Sequence, residues 1–297
     1  MGHTVGIISP GDMGSGIGEK LAKNGARVVV ALDARSDRTK ELAAAAGLED
    51  VGSVERLVQE AEYVLSVMVP SEAVGAAERV AQALQATGAA PIYADLNAIS
   101  PGTTKRVGEI VEEAGARFVD GGIIGGPPRG SVNPRIYLSG KNAPDLAVLE
   151  EYGLLLPIIG EEIGQASGLK MCYASMTKGF QALGTELLVA AQLLGLDKHL
   201  REEMEDSQPA LRGWLAKSTL GMPPKAHRWI GEMEEIAQTF EEVGLTPRML
   251  LGAADMYRWI ATTGPGHETP ENRDKSRDVD GLMAALADSL KAAPTSH

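Results

Sequence analysis

Short runs of β-branched residues alternate with alanine-rich helical stretches over about the first 160 residues. The runs are almost continuously apolar, as strands are when helices cover both faces of a sheet. Strands that alternate with helices of this kind are typical of βαβ units and of a doubly wound parallel sheet. The predicted strands are Thr4–Ser9, Arg27–Leu32, Tyr63–Val69, Pro91–Leu96, Arg117–Ile124 and Pro134–Ser139, and the predicted helices are Gly14–Asn24, Asp37–Ala46, Ser71–Thr87 and Pro101–Ala114.

After about residue 165 the β-branched runs disappear, and all three tryptophans and eight of the eleven methionines lie in this part. Residues 262–278 are rich in glycine, proline and charge, which indicates a loop. We therefore predict a Rossmann-type α/β domain over residues 1–162 and an all-α domain over residues 163–297. The helices predicted in the second domain are Ser167–Leu194, which would run between the two domains, Trp229–Val243, Met249–Ile260 and Val279–Ala292.

Composition and charge exclude several classes of partner. The formal net charge of −12 argues against nucleic acids and anionic membrane surfaces. No apolar run approaches the roughly 20 residues of a membrane span, and the N-terminus lacks the basic region of a signal peptide. A single cysteine, Cys172, excludes an intrachain disulfide and suits a reducing compartment. The five scattered histidines have no metal-ligand spacing. We expect a cytoplasmic protein without a metal site.

A glycine-rich turn joins the first predicted strand to the first predicted helix. A turn in this place lets backbone N–H groups and the positive end of the helix meet a pyrophosphate. The three-glycine fingerprint here runs from Ser9 through Gly11 to Gly14, so serine replaces its first glycine. A purely structural turn is the alternative, but the position at the first βα junction favours nucleotide binding. The residues predicted to contact the dinucleotide are Ser9, Pro10, Gly11, Asp12, Met13 and Gly14.

The end of the second predicted strand carries charges that bear on the choice of nucleotide. Asp33 lies where an acid would hold the ribose hydroxyls of NAD. Arg35, Ser36 and Arg38 follow at once, and they are the groups that a 2′-phosphate needs for charge-assisted hydrogen bonds. Alternatively, Ser36 only caps the second helix and the arginines are solvated. We favour NADP(H) over NAD(H).

The long helix that starts near Ser167 carries polar residues on a largely apolar background. Two lysines on such a helix need a partner or a cavity. A lysine at the rim of a cofactor cleft can act as general acid and base toward a hydroxyl or carbonyl. The alternative is a solvated face with snorkelling lysines. The polar stripe, about 140° wide at the helical repeat, consists of Lys170, Tyr173, Thr177, Lys178, Gln181 and Thr185.

Four stretches, in order, resemble the β-hydroxyacid dehydrogenase superfamily, which includes 3-hydroxyisobutyrate dehydrogenase, tartronate semialdehyde reductase and the imine reductases, with 6-phosphogluconate dehydrogenase more distant. Val5–Gly14 looks like the family's glycine-rich opening, and residues 95–101 (DLNAISP) look like its D-x-S-T-x-x-P segment. Residues 120–126 (DGGIIGG) stand where the family has D-A-P-V-S-G-G, and Gly164–Lys170 looks like the run that ends in its catalytic lysine. Residues 228–237 (RWIGEMEEIA) look like the C-terminal helical domain of a less characterised branch.

The resemblance implies roles for individual residues. Lys170 matches the lysine that protonates the carbonyl oxygen as hydride arrives from the cofactor. Val69 and Pro70 match the segment that lines the nicotinamide side, and Asn97 is expected in the same region as a further polar contact. The resemblance also implies a homodimer formed through the helical domain, which would bind the small-molecule substrate.

The chain departs from the family mainly at the residues that orient substrate. The family's threonine is Ala98, its carboxylate-holding serine is Ile124, and the asparagine four residues after the lysine is Ala174. The Lys-Asp pair of a later helix corresponds to Gly231 and Glu232. We therefore expect a substrate that is bulkier or less acidic than 3-hydroxyisobutyrate. Gly122, Ile123, Ile124, Tyr173, Thr177 and Lys178 are the predicted substrate contacts, and His227, Trp229 and Glu232 are weaker candidates.

Three functions remain open from the sequence. The first is an NADP(H)-dependent dehydrogenase or reductase acting on a hydroxyacid or a related carbonyl or alcohol, with Lys170 as general acid and base. The second is an imine reductase acting on C=N, and a panel of cyclic imines and oxo-acids separates these two. The third is a non-catalytic NADP(H)-binding protein, which the departures in the substrate region motivate and the retained Lys170 disfavours.

Overall fold

The computed structural model describes residues 2–33, 35–269 and 272–292. It contains an eight-stranded sheet in the order β3-β2-β1-β4-β5-β6-β7-β8. The first six strands are parallel, and β1 lies between β2 and β4, so the order reverses beside β1. The strands are β1 Thr4–Ile8, β2 Arg27–Val30, β3 Glu49–Asp50, β4 Tyr63–Ser66, β5 Ile92–Asp95, β6 Arg117–Ile124, β7 Arg135–Ser139 and β8 Ile158–Gly160.

Helices cover both faces of this sheet, and two separate apolar layers fill the space between them. This arrangement explains the continuously apolar strands and confirms the predicted doubly wound α/β fold. In the described residues the helices that belong to this part are α1 Asp12–Lys23, α2 Asp37–Ala45, α3 Val54–Glu60, α4 Ala73–Thr87, α5 Pro101–Glu113 and α6 Ala143–Ala147.

The sheet differs from the prediction at one edge, because β7 runs antiparallel to β6. The connection between them, residues 125–134, has no helix. A parallel crossover needs a dozen or more residues, usually including a helix, so a connection this short returns the chain in the opposite direction. β8 then pairs parallel to β7. The sheet is therefore mostly parallel.

The chain divides into two compact units, one ending at Tyr173 and the other beginning at Ala174. The division falls inside the helix α7, Gln165–Leu194, whereas the sequence placed it between residues 162 and 163. The helix ends at a Schellman motif. Gly195 has the left-handed φ of 69°, and the N–H of Leu196 donates to the carbonyl oxygen of Ala191 at 2.8 Å.

The second unit is helical, as predicted. Its best-packed pair is a helical hairpin whose two members bury Met233, Ile236, Ala254 and Tyr257. No helix in the described part of the chain is long and apolar enough to span a membrane. After α7 the helices are α8 Asp197–Ser207, α9 Pro209–Thr219, α10 Ala226–Glu242, α11 Arg248–Ala261 and α12 Val279–Ala292, and the hairpin is α10 with α11.

Candidate functional site

The glycine-rich turn keeps the shape of a phosphate-binding turn although serine replaces its first glycine. Ser9 has a φ of 69°, the left-handed conformation that glycine adopts without steric cost. The N–H of Gly11 donates to the carbonyl oxygen of Ser9 at 2.8 Å, and α1 begins at Asp12. A Cβ added to Gly11 would meet no atom within 4 Å, so the turn is open on that side. These features fit the pyrophosphate of a dinucleotide at the N-terminus of α1.

The other residues predicted around this turn have different surroundings. Pro10 and Gly14 are buried, and Met13 is half-buried against the apolar layer. Val69 is 42% exposed just beyond β4, whereas Pro70 is buried at the start of a short 3₁₀ helix. Pro10 and Pro70 therefore shape the backbone, while Val69 presents its side chain at the surface of this unit.

An unusual charge arrangement surrounds Asp12 in the first turn of α1. The Arg38 guanidinium donates to both Asp12 carboxylate oxygens, at 2.9 and 3.1 Å. A second guanidinium, that of Arg129 in the loop between β6 and β7, lies 3.9 Å from the same carboxylate. Two arginines against one acid leave an excess of positive charge beside the phosphate turn. The sequence reasoning missed Arg129, because a single basic residue in an irregular loop follows no periodic pattern.

Ser36 and Arg35, which were also predicted at the 2′-phosphate, do not pair with Asp12 as Arg38 does. The Ser36 hydroxyl accepts a hydrogen bond from the N–H of Thr39 at 3.3 Å and caps α2, as the alternative interpretation expected. The N–H of Arg35 donates to the carbonyl oxygen of Leu32 at 3.2 Å, and no ion pair of the described residues involves its side chain.

Asn97 has a different role from the predicted one. It is 2% exposed, and its amide nitrogen donates to Ser66 at 3.0 Å and to Asp95 at 2.8 Å. Its amide oxygen accepts from the N–H of Met68 at 2.6 Å. The side chain is thus bonded to three groups at the carboxyl ends of β4 and β5. The expectation that its amide contacts the cofactor is therefore corrected, since it orders the chain there instead.

One buried carboxylate of the sheet accepts hydrogen bonds from the backbone at the start of α7. Asp120 in β6 is fully buried and accepts hydrogen bonds from the N–H groups of Gly164 at 2.8 Å, Ala166 at 3.1 Å and Ser167 at 3.2 Å. The Ser139 hydroxyl also donates to it at 2.9 Å. Burial raises the pKa of Asp120, and these hydrogen bonds oppose that rise. A carboxylate at a helix N-terminus also interacts favourably with the helix dipole.

Lys170 stands on this anchored part of α7, against Gly122 of β6. A Cβ added to Gly122 would lie 2.5 Å from the carbonyl oxygen of Ala166 and 3.0 Å from the Lys170 Cβ. Only glycine therefore allows the helix to approach the strand so closely. Asp120 pairs with Asp95, the last residue of β5, so Gly122 and Lys170 lie beyond the carboxyl end of that strand. Ligands of open α/β sheets bind at this edge.

The three predicted substrate contacts of β6 separate according to the alternation of side chains along a strand. Gly122 and Ile124 point to the face that α7 covers. Ile123 points to the opposite face and is 6% exposed within the apolar layer. The prediction that Ile123 contributes its side chain to a substrate site is therefore corrected. Gly122 bears on the site through helix packing, because it has no side chain of its own to offer.

In the second unit Lys178 is half-buried and paired with an acid. Its ammonium donates to the Glu232 carboxylate and lies 5.2 Å from the centroid of the Trp229 ring. Tyr257 donates its hydroxyl to the carbonyl oxygen of Lys178 at 2.6 Å and meets Trp229 edge-on at 5.3 Å. Burial raises the pKa of Tyr257, so the phenol stays a neutral donor. Lys178 thus joins two of the weaker candidates, and Tyr257 was missed because its spacing looked like ordinary core.

The remaining predicted contacts lie along α7. Tyr173 is 44% exposed, and Thr177 is half-buried, with its hydroxyl donating to the carbonyl oxygen of Ala174 at 3.4 Å. His227, on α10, is exposed. Among the described residues there is no group of three or more histidine, cysteine or acidic side chains that could hold a metal ion.

Residues 4–152 match the NAD binding domain of 6-phosphogluconate dehydrogenase. The chain belongs to this family. The first unit is therefore an NAD(P)-binding domain, and the phosphate turn lies inside the matched residues. Residues 191–260 match a second family, a domain of unknown function called DUF1932, which lies in the helical unit.

A curated relative, an uncharacterised 28.5 kDa protein of Methanothermus fervidus, is 29% identical over 86% of this chain and 98% of its own length. A conserved protein of unknown function, described as structurally similar to 3-hydroxyacid dehydrogenases, is 30% identical over 89% of this chain and 100% of that one, with a TM-score of 0.66.

Two further solved structures share the fold. The 3-hydroxyisobutyrate dehydrogenase of Mycobacterium tuberculosis with L-serine is 19% identical, covering 98% of this chain and 100% of that one, with a TM-score of 0.70. A variant imine reductase of Myxococcus stipitatus with NAD⁺ is 18% identical, covering 96% and 100%, with a TM-score of 0.55. At these identities the likeness concerns the fold alone.

Proposed function

We propose that this protein is an NADP(H)-dependent oxidoreductase that transfers hydride between the nicotinamide and a hydroxyacid or a related carbonyl or alcohol. The observation that carries the proposal is the position of Lys170. The anchor at Asp120 and the close packing at Gly122 hold it beyond the carboxyl end of β5, in the same unit as the phosphate turn. The membership in a family of NAD-binding domains supports the same reading.

When it is bound, the nicotinamide supplies a hydride for reduction or accepts one in oxidation. Lys170 would donate a proton to the carbonyl oxygen during reduction and take it from the hydroxyl during oxidation. This proton transfer prevents an unprotonated alkoxide from building up at the reacting carbon. Asp120 does not touch the reacting atoms in this scheme, and it acts by fixing the helix that carries Lys170.

The preference for NADP(H) rests on the arginines near the phosphate turn. One guanidinium nitrogen of Arg38 already donates to both oxygens of a carboxylate, and a guanidinium makes charge-assisted hydrogen bonds of the same kind to phosphate oxygens. A 2′-phosphate would take Asp12's place as its partner, with Arg35 and Ser36 nearby in sequence. We expect Arg38→Ala to weaken NADPH binding about ten-fold, the loss of one charge-assisted contact, with little effect on NADH. Equal losses for the two nucleotides would contradict this assignment.

An imine reductase is the second candidate. Ala98, Ile124 and Ala174 put apolar groups where the resemblance places polar substrate contacts, which favours a substrate with fewer anionic groups. The likeness in fold to an imine reductase is compatible with this reading. The test is NADPH oxidation, followed by absorbance, with a panel of oxo-acids, aldehydes and cyclic imines. Turnover of oxo-acids or aldehydes supports the first function, turnover of imines the second, and NADPH binding without any turnover the non-catalytic alternative.

We also propose that the protein forms a homodimer through α7. Five exposed apolar residues alternate along it at spacings of four and three, as in helices that pack against another helix. Light scattering coupled to size exclusion should give twice the chain mass at micromolar concentration, and Phe180→Glu should shift it toward monomer. A monomeric wild-type protein would contradict the proposal. The residues are Leu169, Tyr173, Met176, Phe180 and Leu183.

A further inference from the structure

One face of α10 in the helical unit gathers positive charge. Lys225 immediately precedes the helix, and Arg228, Trp229 and Glu232 follow it at positions three, four and seven residues later. Residues at this spacing share one face of a helix. Lys178 packs on the same face, since its ammonium contacts both Glu232 and Trp229. The N-terminal end of this face therefore carries Lys225, Arg228, Trp229 and Glu232, and Lys178 of α7 packs against the last two.

A further arginine reaches this region from a segment distant in sequence. The Arg273 guanidinium donates to the carbonyl oxygen of Leu220 at 3.3 Å, in the turn that leads to Lys225. Lys225 is half-buried, and Arg228, Arg273 and Lys178 all lie within electrostatic range of its ammonium. Burial first, and then these three like charges, lower the pKa of Lys225.

The charges of this cluster are not balanced among the residues that the structure describes. Glu232 pairs with Lys178, and Glu268 and Asp274, which lie in the same pocket as Arg273, pair with Arg277. No ion pair of the described residues involves Lys225, Arg228 or Arg273. Bringing like charges together opposes folding unless a counterion offsets their repulsion. The chain has 40 acidic and 28 basic residues, so carboxylates for this purpose are plentiful elsewhere. A local excess of cations in an acidic protein therefore indicates an anionic ligand.

We propose that Lys225, Arg228 and Arg273 form a binding site for the carboxylate or phosphate group of a small organic anion. Arginine matches the planar oxygen pairs of these groups, and a half-buried lysine adds a point charge. Trp229 offers an aromatic surface for the carbon part of the ligand beside the charged group. Lys225 and Arg228 lie within residues 191–260, so the site gives a binding role to the DUF1932 domain of this chain.

The binding of an anion at this cluster does not rest on the proposed oxidoreductase function.

The test is isothermal titration calorimetry of the full-length protein with sodium succinate and, separately, sodium phosphate, against sodium chloride at matched ionic strength. We expect saturable binding of at least one of the two oxyanions and none of chloride. Tighter binding of succinate assigns the site to carboxylates, and tighter binding of phosphate assigns it to phosphate groups. Absence of saturable binding for both would overturn the proposal.

Variants locate the binding. Lys225→Gln should weaken the better oxyanion at least ten-fold, whereas Lys217→Gln, an exposed lysine of α9, should leave its affinity unchanged. If circular dichroism shows that Lys225→Gln does not fold, the exposed Arg228→Gln takes its place, with an expected loss of several-fold. Equal affinities in the cluster variants and in Lys217→Gln would overturn the proposal.

A parallel NADPH titration separates this site from the proposed function. The phosphate turn and the cluster belong to different units of the chain. Failure of the wild-type protein to bind NADPH, together with saturable oxyanion binding that Lys225→Gln weakens, would reject the proposed function and leave the anion site standing. NADPH binding without oxyanion binding would give the opposite result.

Discussion

The division between the two units separates α7 into an N-terminal and a C-terminal part, and each part carries one lysine of the polar stripe. The two lysines differ in their surroundings. Residues 165–173 are fixed to the sheet through the backbone, by the carboxylate of Asp120 and by the glycine at position 122. In residues 174–194, which belong to the helical unit, the ammonium of Lys178 is itself held by Glu232 and covered by Trp229. The sequence presents Lys170 and Lys178 as members of one polar stripe, yet the fold gives them different surroundings.

This difference separates a candidate for chemistry from a structural ion pair. The ammonium of Lys178 is already engaged by a half-buried carboxylate, and removing one partner of such a pair is costly. A lysine whose main chain is fixed beyond the carboxyl end of a strand lies at the edge of the sheet where ligands bind, as proton transfer requires. This difference supports the proposal that Lys170 transfers the proton, whereas the ion pair of Lys178 supports the helical unit.

The largest expected effect is on turnover in Lys170→Ala. Removal of a general acid and base costs on the order of 10²–10⁴-fold in rate. We expect kcat to fall by this amount, measured with the substrate that the NADPH-oxidation panel identifies, while the Kd for NADPH changes by less than about three-fold. Lys217→Ala serves as the matched control on an exposed lysine. Unchanged kcat in Lys170→Ala would remove the lysine from the chemistry.

The next effect concerns stability and tests the other lysine. Lys178→Met leaves the Glu232 carboxylate without its partner. Breaking a buried ion pair costs roughly 3–5 kcal/mol, and partial exposure of both side chains reduces this to about 2–3 kcal/mol. Urea unfolding of Lys178→Met should show this loss, and Lys178→Met with Glu232→Gln should recover part of it. Equal stability of wild-type protein and Lys178→Met would contradict the comparison between the two lysines.

A smaller effect tests how closely the helix packs on the sheet. Gly122→Ala adds a Cβ that would meet a backbone carbonyl, and overpacking of this kind costs about 1–3 kcal/mol. We also expect kcat to fall, because the strand would push the helix and Lys170 away. Gly126→Ala is the matched control, since its Cβ would have a single neighbour at 3.9 Å. Equal behaviour of the two variants would show that the close approach is unimportant.

The smallest effect concerns the phosphate turn. Ser9 holds a left-handed conformation that costs a residue with a side chain roughly 1–2 kcal/mol, and glycine would relieve it. Glycine also loses more backbone entropy on folding, about 0.5–1 kcal/mol. Ser9→Gly should therefore raise the free energy of unfolding by at most about 1.5 kcal/mol, measured in urea. A clear loss of stability would mean that the serine hydroxyl has a role that its backbone does not show.

The strands and helices of the first unit could be predicted because each is a long periodic run bounded by turns. The sequence missed β3, β8, α3 and α6, which have two, three, seven and five residues, since such short elements carry no measurable period. It also missed α8 and α9. Helix α8 is polar on nearly every side, so no apolar stripe marks it.

The candidate site was less predictable, because its main contacts join residues far apart in the chain. Asp120 is a buried acid in an apolar strand, which hints at a partner, but only the fold shows that the partners are N–H groups 44 to 47 residues later. Ile123 was misassigned because family likeness carries over a segment, whereas strand alternation decides which side chains of the segment face α7.

The proposed function depends most directly on the binding of a dinucleotide to the first unit. Purified wild-type protein should be titrated separately with NADPH and NADH, following the fluorescence of the nucleotide. We expect saturable binding of both nucleotides, with NADPH at least ten-fold tighter. A preference for NADH would keep the oxidoreductase and transfer the selectivity from Arg38 to Asp33. Binding of neither nucleotide would contradict the proposed function, because Lys170 has a proton to transfer only when a bound nicotinamide exchanges hydride with the substrate.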